Sequence, residues 1–533
     1  MKERDTQKLT FWILTAIGIL YFCALIPANL TGAETPDMLA VFEVDEYAQY
    51  PHLLRMLTPG EGLYPTLRNF FIYLHYYYGF PFYFWSAIAV LPLKLFIPFT
   101  PEHTRTIVCV LRQMLSVLPM ILSAGLLSWT GTRFRRVFPA VTLFVLMLTM
   151  PAVLQNDFWW HPDSLTLLFL SLTFFFLDRD GLRCGRNFFF AAAACGAAVG
   201  TKYLGLYFAL AIPAYLICCR LWGGLSARQM LTRAGAFLLV MAAFILISDP
   251  LLLLPQERAE ILAVMRQQQE LSGSGIFFRY ENRFFENGRF PAWLTENYLR
   301  LPWLILAMLS LIAGCFSREK QRRTMAIVTV CYLIIACTVN LNTAASRLHY
   351  FLPILIPLTA RFFDGTDLFT GNRRRAAAGV LAALLLVQTG INLKTDAGLM
   401  DVQLHREENS GSIALYRTLE AEHLPLPEVP AERMTRVFRD WKAYFPEQEG
   451  YAIRTDWELG TLGLMEEWHP DLILLETENI RAYSSEEAVE NAVDPDRMRQ
   501  TVDFYTAASR DAIPGYKKLI ENHFGIVFRR ELP

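Results

Sequence analysis

The apolar residues of this chain come in blocks of roughly 18–22, divided by short polar loops, and that is the length a helix needs to cross a bilayer. A segment in hydrocarbon must satisfy its own backbone hydrogen bonds, so such blocks fold as helices. The candidate spans are 9–29, 107–129, 138–154, 165–177, 188–201, 204–221, 231–254, 299–316, 325–341, 349–363 and 376–393, several of them short. Of the 533 residues, 53% are hydrophobic and 19% charged. A soluble chain carries about a quarter charged residues. The composition therefore excludes a single soluble domain, a disordered chain and a disulfide scaffold. All nine cysteines lie in or beside apolar blocks and none forms a CxxC pair, which argues against a zinc site or a disulfide framework.

The net charge of −1 hides a split. From Asp396 onward there are 27 acidic and 15 basic residues, and the preceding part carries a balance of +11. Membrane domains are commonly basic because their cytoplasmic loops hold Lys and Arg. The expected organisation is thus a membrane domain over 1–395 and an acidic soluble domain over 396–533, with nothing in the latter suggesting nucleic-acid binding. Lys2, Arg4 and Lys8 before the first apolar run resemble a signal sequence. No convincing cleavage site follows, so the run reads as a retained first span.

Basic clusters at the N-terminus, Arg133/Arg135/Arg136, Arg179/Arg183/Arg186, Arg220/Arg228/Arg233, Arg318/Lys320/Arg322/Arg323 and Arg373/Arg374/Arg375 fall in every second loop. The positive-inside rule makes these cytoplasmic. The outer loops are then 31–106, 155–163, 202–203, 255–297 and 340–348, together with the tail. An inside N-terminus and an outside tail need an odd number of spans, which the eleven blocks supply. The block 79–99 would break that parity, and with Pro81, Pro92 and Pro98 it reads as re-entrant or interfacial. The tail reads as a small α/β domain. A buried strand is expected at 471–476, a helix at 498–509, and two closing strands at 517–521 and 525–529 joined by a turn.

Polar residues that could carry chemistry gather on the outer side. Asp45 and Glu46 follow the first span in an aromatic setting; such a pair can bind a cation or deprotonate a hydroxyl, or be a solvated acidic loop. In Asn156-Asp157-Phe158-Trp159-Trp160-His161-Pro162-Asp163, Asp163 opens a helix, where a capping role is also open, and His161 sits beside tryptophans. In Gly200-Thr201-Lys202-Tyr203, Lys202 is a lone cation among apolar residues, which either snorkels or meets an anion. Arg347, His349 and Tyr350 mark the entrance to a late helix, and Arg can grip a phosphate through its fork. Arg112 lies inside a span and would pair with one of the carboxylates. Together these form a site with carboxylates at one edge and cations at another.

The order and sidedness of these groups resemble the C-type glycosyltransferases. The nearest set is glycosyltransferase family 39, with its dolichyl-phosphate-mannose protein mannosyltransferase-like and aminoarabinose-transferase-like enzymes. The resemblance covers most of 9–363 and, more loosely, the tail. It implies a polytopic α-helical membrane protein of about 11–13 spans with the C-type glycosyltransferase fold and a small C-terminal soluble α/β domain. It also implies inverting transfer of a sugar from a polyprenyl-phosphate donor to a protein, lipid or glycan hydroxyl, on the extracytoplasmic face of the cell (inner) membrane. By the same resemblance Asp45 matches the catalytic base, with Glu46 beside it, and Asp163 the second-loop acid. Lys202, Tyr203, Arg347, His349 and Tyr350 match the donor-phosphate and lipid pocket. The Trp159-Trp160-His161-Pro162 lead-in departs from the usual family sequence. A donor monophosphate needs no metal for charge balance, although the acidic pair leaves a divalent cation open. Rival classes are an oligosaccharide ligase or polymerase using a diphosphate lipid donor, and a transporter or flippase of envelope glycolipids. A transporter would show pseudo-repeats, few long outer loops and no soluble tail, the opposite of this chain.

Overall fold

The computed structural model describes residues 3–202, 205–274, 288–341, 351–426, 433–454 and 459–531. Among the described residues each of the eleven apolar blocks contains helix, in some as two short helices rather than one. Six helical stretches are long and apolar enough to cross a membrane: Glu3–Asn29, Pro101–Thr132, Gly205–Gly223, Ala227–Ser248, Lys320–Leu341 and Gly371–Leu404. Two bent pairs raise the number to 8: Val137–Leu148 with Pro151–Asp157, bent by 61°, and Phe290–Asn297 with Leu301–Gly314, bent by 82°. In both pairs a proline stands in the first turn of the second helix. Proline has no N–H to donate to the preceding turn, so the first helix cannot run on through it. The remaining blocks form Asp163–Asp180, which carries charged residues at both ends, the 16-residue Arg186–Thr201, and Leu352–Thr359. The block at 79–99 forms a short apolar helix, Phe80–Val90, that ends in a 3-10 turn over Leu91–Leu95. The molecule is a multi-pass membrane protein.

Two local features of these helices set up the site. The stretch Pro101–Thr132 contains a π turn at Gln113–Val117, directly after Arg112. Pro119 follows at once; its missing N–H loosens the ladder there, and a π turn rephases every side chain beyond it. At the second feature, Gly79 donates its N–H to the Thr201 carbonyl at 3.1 Å. A Cβ at Gly79 would stand 1.6 Å from the Gly200 oxygen, so only glycine lets helix Phe80–Val90 start against the end of helix Arg186–Thr201.

The tail forms a five-stranded sheet of order β2-β1-β3-β5-β4. The strands are β1 Thr435–Arg439, β2 Tyr451–Arg454, β3 Leu472–Glu476, β4 Tyr516–Glu521 and β5 Gly525–Arg530. β1 pairs in parallel with β2 and β3, whereas β5 is antiparallel to both β3 and β4. β3 is buried throughout, and its alternate side chains enter different cores. Ile473 and Leu475 pack with Phe504 and Tyr505 of helix Pro495–Ser509. Leu472 and Leu474 pack with Ile413 and Leu419 of helix Gly411–His423 and with Met38. The expected strands at 471–476, 517–521 and 525–529 and the helix at 498–509 are all present. β1 and β2 are additional. Helix Gly371–Leu404 runs unbroken through the expected division at 395/396, so the segment 396–533 begins with the last turns of that helix.

Met38 belongs to the segment after the first span, and it shows how the tail is held. Arg439 is buried and lies 2.7 Å from Asp37, whose other oxygen accepts the Glu447 N–H at 2.7 Å. Arg406 donates to the Thr31 hydroxyl at 3.0 Å. The tail is thus docked on the segment that leads directly into Asp45 and Glu46.

Two buried carboxyls at the ends of β1 and β3 make the tail sensitive to pH. Burial pushes Asp440 up to about 6, against the pull of its bond from the Tyr505 hydroxyl. Burial, and then the Asp440 charge, push Glu476 up to about 7. A carboxyl whose pKa is higher in the folded than in the unfolded chain favours folding when protonated. Its contribution declines as pH rises from about 4.5 through about 7 and is gone above that. Glu476→Gln keeps an acceptor for the Lys442 N–H, now 3.1 Å away. The variant should therefore raise the unfolding midpoint relative to wild type at pH 8 and lose that advantage at pH 5. An equal effect at both pH values would rule out the titration.

Candidate functional site

Glu46 lies in the first turn of helix Val44–Met56 and is fully buried. Arg112, equally buried, donates from Nε to Glu46 Oε1 at 2.8 Å and from Nη2 to Oε2 at 2.5 Å. Its Nη1 donates to the carbonyls of Asn29 at 2.9 Å and Thr31 at 2.8 Å. Glu46 Oε1 also accepts the Trp160 N–H at 2.7 Å. The Trp160 carbonyl accepts from Gln49 at 2.6 Å, and its indole N–H donates to Ser86 at 2.9 Å. One ion pair therefore ties together the end of the first span, the start of helix Val44–Met56 and the loop after Pro151–Asp157. This bidentate geometry is the strongest form of the arginine–carboxylate contact. It also settles which carboxylate Arg112 meets.

Consecutive residues on a helix point about 100° apart. Asp45 and Glu46 therefore do not face the same way: Glu46 turns into the protein, and Asp45 stays half-buried at the helix N-terminus. The charge of Asp45 is felt at Tyr83 and at His161. Both Glu46 oxygens are engaged by Arg112, so the pair does not act as one two-carboxylate cation site. Among the described residues no three His, Cys, Asp or Glu side chains are grouped as metal ligands.

Asp163 is the first residue of helix Asp163–Asp180, after Pro162 at the cap. Its Oδ1 lies 2.5 Å from Lys202 Nζ and its Oδ2 2.8 Å from His161 Nδ1. Lys202 caps helix Arg186–Thr201 in extended conformation, and its side chain keeps 17% exposure while Asp163 keeps 3%. The Lys202 side chain thus stays partly exposed while its counter-ion is buried. His161 Nε2 is 2.8 Å from the Tyr78 hydroxyl, and the imidazole stacks on Trp159 with centroids 3.7 Å apart. Burial, with help from Lys202, holds this imidazole below the usual histidine range despite the pull of Asp163. A neutral ring donating from Nδ1 to Asp163 and accepting from Tyr78 fits both contacts.

The structure therefore gathers Asp45, Glu46, Arg112, His161, Asp163 and Lys202 around two adjoining loops. Tyr203, Arg347, His349 and Tyr350 lie outside the described residues. Sequence reasoning missed Tyr78, which grips His161, and Tyr83, whose hydroxyl is 2.5 Å from His75 Nδ1. Both stand in an aromatic-rich stretch at the start of the block 79–99, where tyrosines also suit a membrane interface. The histidines His75 and His52 spaced among those tyrosines, with ring centroids 5.0 Å apart, were the available signal for a polar interior.

No protein-family model matches the sequence, and no curated protein matches it. Among solved structures, ArnT from Cupriavidus metallidurans bound to undecaprenyl phosphate superposes with a TM-score of 0.52. The match covers 97% of this chain and 98% of that one at 11% identity. The same protein in the apo state gives 0.52 at 12% identity over 98% of each chain. The chain shares the fold of that protein over nearly its whole length. At 11–12% identity the likeness concerns architecture, membrane helices and tail together, and assigns no residue its role. A weaker likeness to the Archaeoglobus fulgidus oligosaccharyltransferase in complex with Zn and sulfate adds nothing to that assignment. Its TM-score is 0.40 at 13% identity, over 79% of this chain and 62% of that one.

Proposed function

We propose that the protein is an inverting glycosyltransferase that moves a sugar from a polyprenyl-phosphate donor to an acceptor hydroxyl. In this reading the site and the tail face the extracytoplasmic side of the cell membrane. The observation that carries the reading is the cationic group Lys202, held by Asp163, whose other oxygen meets His161, in the same loop cluster as a half-buried carboxylate, Asp45. A phosphate on the anomeric carbon is already a good leaving group. It needs a cation for the charge that develops as the bond breaks, and a preorganised ammonium in a partly dry site serves that purpose. The acceptor hydroxyl needs a base on the opposite face of the sugar, the role given to Asp45. A single displacement from that side inverts the centre. Glu46 and Arg112 act in this scheme by positioning Asp45 against the Trp159–Asp163 loop. The fold likeness to ArnT bound to undecaprenyl phosphate supports the donor class.

The direct test is transfer from a radiolabelled polyprenyl-phosphate sugar to membrane extracts, in right-side-out and inverted vesicles. Transfer with both vesicle orientations equal, or none with any polyprenyl-phosphate sugar, would refute the reading as stated. Lys202→Ala should raise the donor KM about tenfold or more, the loss of one charge-assisted contact. Unchanged donor KM and turnover in that variant would leave Lys202 as a structural partner of Asp163 alone.

A further inference from the structure

Helices that begin at the site end in a second concentration of charge. Helix Asp163–Asp180 starts at the site and spans about 27 Å at 1.5 Å per residue. Helix Leu118–Thr132 likewise leads away from the Arg112 end of its stretch. At the far face Thr132, Arg135, Arg136, Arg322, Thr366 and Arg374 are among the residues lining a cavity of about 170 Å³. Four arginines around one small space repel each other unless anions balance them. Several carboxylates do so from behind. Asp367 pairs with Arg374 and lies 3.2 Å from Arg322, Asp364 is 3.9 Å from Arg322, and Glu3 is 3.2 Å from Arg135. Among the described residues Arg136 has no carboxylate within 4 Å, and it is crowded by the like charges of Arg374 and Arg375.

Two further features point to an anion. Helices Val137–Leu148 and Gly371–Leu404 both begin at this cavity, with Arg136 and Thr370 as caps that make no side-chain capping bond. Their free N–H groups and dipoles add positive potential to that of the arginines. The flanks of the same two helices are apolar and open: Phe138 is 48%, Val380 63% and Leu384 43% exposed. A cationic pocket at the end of membrane helices, continuous with an apolar outer surface, matches a lipid with an acidic head.

We propose that this cavity binds the phosphate of an acidic phospholipid head group, with Arg136 as its unbalanced cation and the acyl chains lying along helices Val137–Leu148 and Gly371–Leu404. One phosphodiester carries a single negative charge, which is what Arg136 lacks. The site is separate from the donor site and does not depend on the reading proposed for it.

The test uses the full chain, purified in neutral detergent and exchanged into phosphatidylcholine nanodiscs doped with phosphatidylglycerol. Retained phosphatidylglycerol per protein is then counted by mass spectrometry. Wild type should retain phosphatidylglycerol over phosphatidylcholine. Arg136→Gln should lower its apparent affinity about tenfold, the loss of one charge-assisted contact. Arg136→Glu should lower it further. Arg228→Gln, an exposed arginine on the same face outside the cavity, should match wild type. Arg136 is itself exposed, so its variants should keep the wild-type unfolding midpoint. Equal loss in Arg136→Gln and Arg228→Gln would reduce the effect to general surface charge and overturn the proposal. Full displacement of the lipid by millimolar inorganic phosphate would overturn the lipid assignment in favour of a soluble anion.

Discussion

Asp45→Asn should lower turnover by roughly 10²–10⁴-fold, the range of a general base, with donor binding and stability close to wild type. The substitution keeps the size of the side chain and most of its hydrogen bonding and removes only the proton acceptor. A base acts as the hydroxyl loses its proton in the transition state, so the loss belongs in turnover and not in donor KM. The geometry makes the expectation sharper than sequence adjacency does. Asp45 and Glu46 are neighbours, yet Glu46 is closed inside an arginine fork and Asp45 is half-buried at a helix N-terminus. A change at Asp45 therefore leaves the Arg112 clamp intact. The comparison requires transfer rates and donor KM for the variant, with and without a chelator. Near-wild-type turnover would end the catalytic assignment. A chelator that abolished wild-type activity would turn Asp45 into a cation ligand. If donor KM rose while turnover held, Asp45 would belong to the donor pocket.

The membrane helices were legible because their signal is local: an apolar run of bilayer length and the charges that bound it. Three of the five strands of the tail sheet were legible for the same reason. β3 is a continuous apolar strand, and β4 and β5 flank a turn around Asn522. β1 and β2 were not, because Thr435–Arg439 has arginines at two of its five positions and Tyr451–Arg454 is four residues long. Both become strands only by pairing in parallel with chain far away, and that register is invisible in any short window. The site shows the same division. That an acid, a lysine and a histidine belong on one face followed from loop alternation. Which partner each takes did not, since Glu46 and Arg112 are 66 residues apart and Asp163 and Lys202 are 39 apart. The phase of helix Val44–Met56 turns Glu46 inward to Arg112, and the ends of helices Asp163–Asp180 and Arg186–Thr201 bring Asp163 to Lys202; neither leaves a pattern in composition.

The second large effect is expected from breaking the Glu46–Arg112 pair. Both side chains are 0% exposed, so neither can turn to water when its partner is lost. Removing one member of such a pair leaves an uncompensated buried charge, a change worth roughly 3–5 kcal/mol. Glu46→Gln should therefore cause a clear drop in the unfolding midpoint and in expression, beyond that of Asp45→Asn. Arg112→Met should do at least as much, since it also leaves the Asn29 and Thr31 carbonyls without their donor. The double variant Glu46→Leu/Arg112→Met removes both charges at once. It should recover part of the stability lost in either single change, the positive coupling a double-mutant cycle measures. Activity should not return with it, because the pair also holds the Trp160 N–H and through it the loop carrying His161 and Asp163. Recovered stability without recovered transfer would separate folding from positioning. A Glu46→Gln protein that unfolds at the wild-type midpoint would show that the pair contributes nothing to the stability of these loops. A double variant as active as wild type would show that the clamp does not position the site.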